Sequence, residues 1–144
     1  MSAEGRPPTG PNYSLIPESE MLRKIELTNY EEDPDDTNYS VLKENYEILL
    51  RSKDQDGNAL RVIKLPMPKI ISEDGRRFPA SYANFYIANT KVLVPTFRHL
   101  YDDEALRIIK QCFSAREVIG IDCVSVIYGY GTIHCATQQQ PSIG

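Results

Sequence analysis

Apolar residues recur at helical spacing in two stretches of this chain and alternate in several others. Between residues 39 and 53, Val41, Leu42, Ile48 and Leu49, joined by Tyr46 or Asn45, keep close to a 3.6-residue period, which predicts a helix. Thr37 or Asn38 would cap its N-terminus, and the acidic run before it suits the positive end of the helix dipole. That run, E-E-D-P-D-D, reads as a solvated loop. Gly57, in D-Q-D-G-N, is a natural left-handed stop after the helix. A-L-R-V-I-K-L-P then alternates as a strand, with Leu60, Val62 or Ile63, and Leu65 inward, until Pro66 and Pro68 end it.

In S-Y-A-N-F-Y-I-A, residues 81–88, alternation puts Ala83, Phe85 and Ile87 on one strand face. Tyr82, Asn84 and Tyr86 fall on the other. V-L-V-P-T-F follows as its hairpin partner, with Thr90 at a tip where a β-branched residue at positive φ would be strained. Ala105, Leu106, Ile108, Ile109 and Phe113 predict a second helix over residues 102–113. The strand R-E-V-I-G-I comes next, and a β-rich terminal segment closes the chain. The segment at residues 21–30 fits a strand or a helix equally. Alternation of strands and helices implies a mixed α/β sheet, in about two copies of one unit of 50–60 residues.

Composition narrows the classes. The 144 residues suit one domain, here residues 20–144, and the Pro/Gly-rich residues 1–19 read as a disordered leader. A net charge of −4 disfavours a nucleic-acid surface and suits a cationic small molecule. No apolar run spans a bilayer, and no signal-peptide core is present, so no membrane partner is expected. Three cysteines without a C-x-x-C pair read as reduced thiols in a cytoplasmic setting. Two histidines leave little from which to build a metal site.

One thiol stands apart. Cys135 lies in Y-G-Y-G-T-I-H-C-A-T-Q-Q-Q-P, where Gly129 and Gly131 would let a ligand approach the backbone and its amide N–H groups. Two readings follow, a nucleophile or an inert structural cysteine. His134 is its neighbour in sequence, but on a strand the two side chains diverge. His99, in F-R-H-L, is the other candidate base.

The run G-Y-G-T-I-H-C-A-T-Q-Q-Q-P resembles the nucleophile motif of agmatine deiminases, in the family that also holds bacterial peptidylarginine deiminases. E-E-D-P-D-D-T-N-Y, L-P-M-P and G-R-R-F-P-A-S-Y-A-N-F-Y-I-A-N agree in order and spacing, so the resemblance covers about residues 27–141. It implies an α/β pentein fold, a propeller of five β-β-α-β modules, of which this chain would hold about two, the C-terminal portion. It implies conversion of agmatine and water to N-carbamoylputrescine and ammonia, a step toward putrescine, without cofactor or metal. Cys135 would be the nucleophile, with Gly129 and Gly131 at the substrate, while Tyr82 and Asn84, on the polar face of S-Y-A-N-F-Y, either line the substrate pocket or form a solvated or hydrogen-bonded sheet face. The family's general-acid histidine and its guanidinium-binding carboxylates lie upstream of the matched region and have no counterpart here. The alternative is therefore an inactive homologue or fragment serving as an interaction module. Open module faces imply self-association or pairing with a missing N-terminal portion. Tyr130 stands where many members have a third glycine.

Overall fold

Two small sheets share one apolar core in the computed structural model, which describes residues 24–140. The leader expected over residues 1–19 lies outside the described residues. In the first sheet, β1 (Ile25–Tyr30) and β2 (Arg61–Pro66) run parallel, with Ile25 opposite Arg61 and Tyr30 opposite Pro66. Parallel neighbours need a crossover, and helix α1 (Tyr39–Arg51) makes it. In the second sheet β4 (Lys91–Thr96) is central. It pairs antiparallel with the two-residue β3 (Tyr86–Ile87) and parallel with β5 (Glu117–Asp122). Helix α2 (Asp102–Cys112) is the crossover there. The order β3-β4-α2-β5 is one β-β-α-β unit, and β1-α1-β2 repeats its last three elements.

The core explains why these segments adopt these states. Leu65 of β2, Val92 and Val94 of β4, and Ile109 of α2 are all fully buried in one cluster, so both sheets and α2 pack on the same apolar centre. The helical period over residues 102–113 is confirmed: Ala105, Ile108 and Ile109 face inward, and the acidic first turn Asp102–Glu104 sits at the positive dipole end. The segment at residues 21–30, open between strand and helix, is strand from Ile25.

Helix α1 differs from its expected stripe. None of its residues is buried; Leu42, Tyr46 and Leu49 are half-buried, while Val41 is 66% exposed and Ile48 48%. Asn38 occupies the cap position without a side-chain cap bond, and Asp36 instead accepts its N–H at 2.9 Å.

Three further expectations are corrected. The strand over residues 81–88 shrinks to Tyr86–Ile87, because the Ser81 hydroxyl accepts the Ala83 N–H and opens a turn. The acidic run is not wholly solvated. Asp36 is buried, with Arg77 Nη1 reaching both its oxygens at 2.6 and 2.7 Å and Lys69 at 3.5 Å. The terminal segment carries two 3-10 turns, Val126–Gly129 and His134–Ala136, in place of a strand. Thr90 has no positive φ, so the hairpin tip avoids the strain considered for it.

Candidate active site

The loop that carries Cys135 is anchored at both ends before it reaches the thiol. Beyond β5, the Cys123 N–H donates to the Thr96 carbonyl at 2.8 Å, extending the pairing with β4. The first 3-10 turn then seats Ile127 in the core. Tyr130 follows at φ 61°, ψ 20°, left-handed backbone that ordinarily favours glycine. The position needs a reversal, and Tyr130 makes it at a cost. Its ring lies beside Phe78 at 6.0 Å, and its hydroxyl accepts from Arg76 at 3.3 Å. Thr132 is buried next, and the second 3-10 turn lifts His134 and Cys135 to the surface.

A second loop meets the thiol. Asn29, at the end of β1, accepts the Ser81 hydroxyl at 2.8 Å, and the Ser81 carbonyl accepts the Asn84 N–H at 3.2 Å. Asn84 then contacts the Cys135 turn three times. Its Nδ2 donates to Cys135 Sγ at 2.9 Å, its Oδ1 accepts the Cys135 N–H at 3.2 Å, and its carbonyl accepts the His134 N–H at 3.1 Å. On another side the thiol packs against bare backbone. A Cβ built on Gly131 would lie 2.8 Å from Cys135 Cβ and 3.2 Å from its Sγ. Gly131 is therefore glycine because the nucleophile candidate occupies the space a side chain would take. A Cβ on Gly129 would meet nothing within 4 Å.

The structure thus brings Asn84, Gly131 and Cys135 together and leaves Tyr82 apart. Tyr82 is fully buried, and its hydroxyl donates to Asp102 Oδ1 at 2.7 Å. Burial first, and the Asp102 carboxylate second, push its pKa well above the ordinary phenol value. It faces the core, not a pocket, because the turn at Ser81 removed the alternation that had placed it beside Asn84. Asp102, which sequence reasoning did not single out, also accepts the N–H groups of Phe97 and His99, each at 3.1 Å. Three donors on one carboxylate fix the entry to α2.

Neither histidine ring hydrogen-bonds to Cys135 among the described residues. His99 is half-buried, its Nδ1 accepts the Tyr101 N–H at 3.3 Å, and burial holds its pKa below the usual imidazole value against the opposing pull of Asp102. His134 is exposed. The divergence expected from Cys135 on a strand is replaced by the roughly 120° step between neighbours in a 3-10 turn. Cys112 and Cys123 are at least half-buried, and burial raises both thiols above their ordinary value. Cys135 is the exposed thiol of the three. No cluster of three or more His, Cys, Asp or Glu residues suited to a metal occurs among the described residues, and none of the helices there is long and apolar enough to cross a membrane.

Comparison with known proteins places this geometry. The profile of the Porphyromonas-type peptidyl-arginine deiminase family matches residues 21–141. The chain belongs to that family. A Marinomonas sp. protein provisionally named agmatine deiminase is 37% identical over 127 residues, covering 76% of this chain and 34% of its own length. Among solved structures, an Enterococcus faecalis agmatine deiminase superposes with a TM-score of 0.74 at 31% identity, covering 80% of this chain and 36% of its own. A Porphyromonas gingivalis protein provisionally described as an arginine deiminase does so with a TM-score of 0.74 at 39% identity, covering 81% of this chain and 34% of its own. The chain therefore spans about a third of the length of the family members it matches. Its mixed α/β architecture is that of these deiminase structures.

Proposed function

We propose that this chain works in agmatine deimination, with Cys135 attacking the guanidinium carbon. The observation that carries the reading is the exposed Cys135 sulfur held between the Asn84 amide and the bare backbone of Gly131, within the matched family region. In the proposed reaction the thiolate adds to the guanidinium carbon, and ammonia leaves with a proton supplied by a general acid. An amidino-cysteine remains. Water then adds to the same carbon, the thiolate departs, and N-carbamoylputrescine is released. Agmatine, a small cation, suits the net charge of −4.

Neither His99 nor His134 is bonded to the thiol, so the proposal assigns the general acid and the guanidinium-binding carboxylates to parts of the fold this sequence does not match. Two features fit a site completed by further modules of the fold. The chain spans about a third of its relatives' length, and helix α1 leaves Val41 and Ile48, two turns apart on one side, exposed, as a face awaiting a neighbouring module would. We count the chain as about two of five modules on this reading, in a cytoplasmic protein. The test joins this chain in frame to the upstream two-thirds of the Marinomonas protein and compares ammonia release from agmatine and from a peptidyl-arginine. Faster release from agmatine is expected; preference for the peptide would overturn the substrate assignment.

A further inference from the structure

Strand β1 has one edge paired and one edge open. The Lys24 carbonyl accepts the Arg61 N–H at 3.0 Å, so Lys24, Glu26, Thr28 and Tyr30 turn their backbone groups toward β2. Ile25, Leu27 and Asn29 turn theirs the other way, and their N–H groups have no partner among the described residues. No proline or bulge blunts this edge: I-E-L-T-N-Y keeps an unbroken register with β2. In the second sheet the corresponding edge of β4 is filled, by β3 running antiparallel. Helix α1 leaves an apolar row on the same side. Asn45 Nδ2 donates to Thr28 Oγ1 on β1 at 3.3 Å, whereas Tyr46, on the next row, reaches both Tyr30 and the β2 residue Lys64. Val41 and Ile48, four residues before Asn45 and three after, share its row and so lie toward β1 and its open edge.

The geometry points to a second copy of this chain as the occupant of that surface, β1 against β1 about a two-fold axis at Thr28. Such an axis makes self-paired strands antiparallel, the sense β3 has on β4. Pairing must set edge-facing residues opposite one another. An axis at Thr28 does so, with Leu27 of each copy opposite Asn29 of the other and Lys24 opposite Glu32. An axis at Glu26 would bring two like carboxylates face to face, and one at Leu27 would leave Lys24 facing Tyr30. Because Asn45 bonds Thr28, the Thr28 axis passes beside Asn45 and brings Val41 of one copy to Ile48 of the other. Helix α1 packs over both strands of its sheet. With strands about 4.8 Å apart, the two α1 axes then lie about 10 Å from each other, a distance at which helices pack directly.

One occupant thus covers both open features, the unpaired N–H groups and the apolar row. The interface uses about a dozen residues a side, half of the roughly 20–30 in a standard one, so the dimer is weak and reversible. The α1 row is also the face a further module would cover, so a second copy and that module compete for it.

Sedimentation equilibrium of the full chain, from about 1 to about 200 µM, is expected to show monomer and dimer in exchange with a Kd on the order of 10 µM. Glu32→Lys sets lysine against lysine at both rims and should raise Kd on the order of tenfold, and adding Lys24→Glu should bring it back. Lys24 also lies 3.6 Å from Asp54, so Val41→Glu, at a position 66% exposed in the single chain, repeats the test free of that contact and should raise Kd as far. Hydrogen exchange reads the register: the Ile25, Leu27 and Asn29 amides should gain protection with concentration, while Glu26 and Thr28 stay protected throughout. A monomer at every concentration would overturn the inference, as would a dimer indifferent to both Glu32→Lys and Val41→Glu. Protection of Leu27 and Asn29 at every dilution would overturn it too, since residues of the same chain would then hold the edge. No step uses agmatine or Cys135, so these outcomes leave the deiminase reading to its own test.

Discussion

Replacing Asp36 by asparagine should destabilise this chain more than any other single change in its acidic run. The Asp36 side chain is 1% exposed, and its two oxygens take Arg77 Nη1 at 2.6 and 2.7 Å. Burial alone would raise its pKa; the Asn38 N–H and the Arg77 guanidinium overcome this and hold it below the ordinary 3.8. Asparagine can still accept the Asn38 N–H, but it leaves Arg77 without its buried counter-charge. Removing one partner of a buried pair costs roughly 3–5 kcal/mol. Arg77 is 21% exposed and has Glu31 at 3.9 Å, so the low end, about 3 kcal/mol, is expected. With a urea m-value of about 2 kcal/mol/M, the midpoint should fall by about 1.5 M.

Two controls separate the charge pair from simple loop damage. Asp36→Leu with Arg77→Met should lose less than Asp36→Asn, because apolar replacement of a whole buried pair is often neutral. The pH dependence has a definite sign. A carboxyl with a depressed folded pKa contributes its full stability above the unfolded value of 3.8 and loses it as pH falls through 3.8 toward the folded value. The unaltered chain should show that acid limb, and Asp36→Asn should lack this part of it. A midpoint shift below about 0.3 M would refute the reasoning, since it would mean the pair contributes no more than an exposed one.

Other expectations follow from the site. Gly131→Ala sets a new Cβ 2.8 Å from Cys135 Cβ, so the thiol turn must shift; about 1–3 kcal/mol of stability and much of the Cys135 alkylation rate should be lost. Gly129→Ala meets nothing within 4 Å, and its urea midpoint should report a change within about 0.5 kcal/mol. Tyr82→Phe removes the hydroxyl bonded to Asp102 while leaving the Phe97 and His99 N–H donors in place, so about 1.5–3 kcal/mol is expected from the same titration.

What could be read from the sequence was local. Helix α2 and strand β4 follow from their own periodicity, because one face of each packs on a single apolar centre. The helix stop was not: Gly57 is left-handed at φ 82°, but it closes the turn from Asp54, and the helix has already ended at Arg51 with Ser52 extended. The other misreadings share a different cause: a distant partner. Asp36 is singled out among its acidic neighbours by Arg77, 41 residues away, and no local pattern distinguishes it from Asp35. Tyr82 was placed by alternation, which fails where the Ser81 hydroxyl captures the Ala83 N–H; a serine two residues after Pro79 was the available signal.

The thiol's surroundings divide in the same way. The glycines around Tyr130 were read as room for a ligand, whereas they belong to an irregular backbone of two 3-10 turns and a left-handed Tyr130. The strand assumption obscured it. Asn84 was found by pattern as a polar residue facing the site, but its bond to the sulfur spans 51 residues and needed coordinates. The side of α1 facing β1 was readable in part; that Val41 and Ile48 would stay exposed was not, since exposure depends on what lies across from them.

The most direct test of the central claim is a covalent intermediate on Cys135. This chain, joined to the upstream two-thirds of the Marinomonas protein, would be mixed with agmatine, quenched in acid and mapped by mass spectrometry. An amidino adduct on the Cys135 peptide, formed within one turnover and abolished together with ammonia release in Cys135→Ala, is the expected result. Ammonia release from agmatine that persists in Cys135→Ala, with no adduct at that position, would contradict the account.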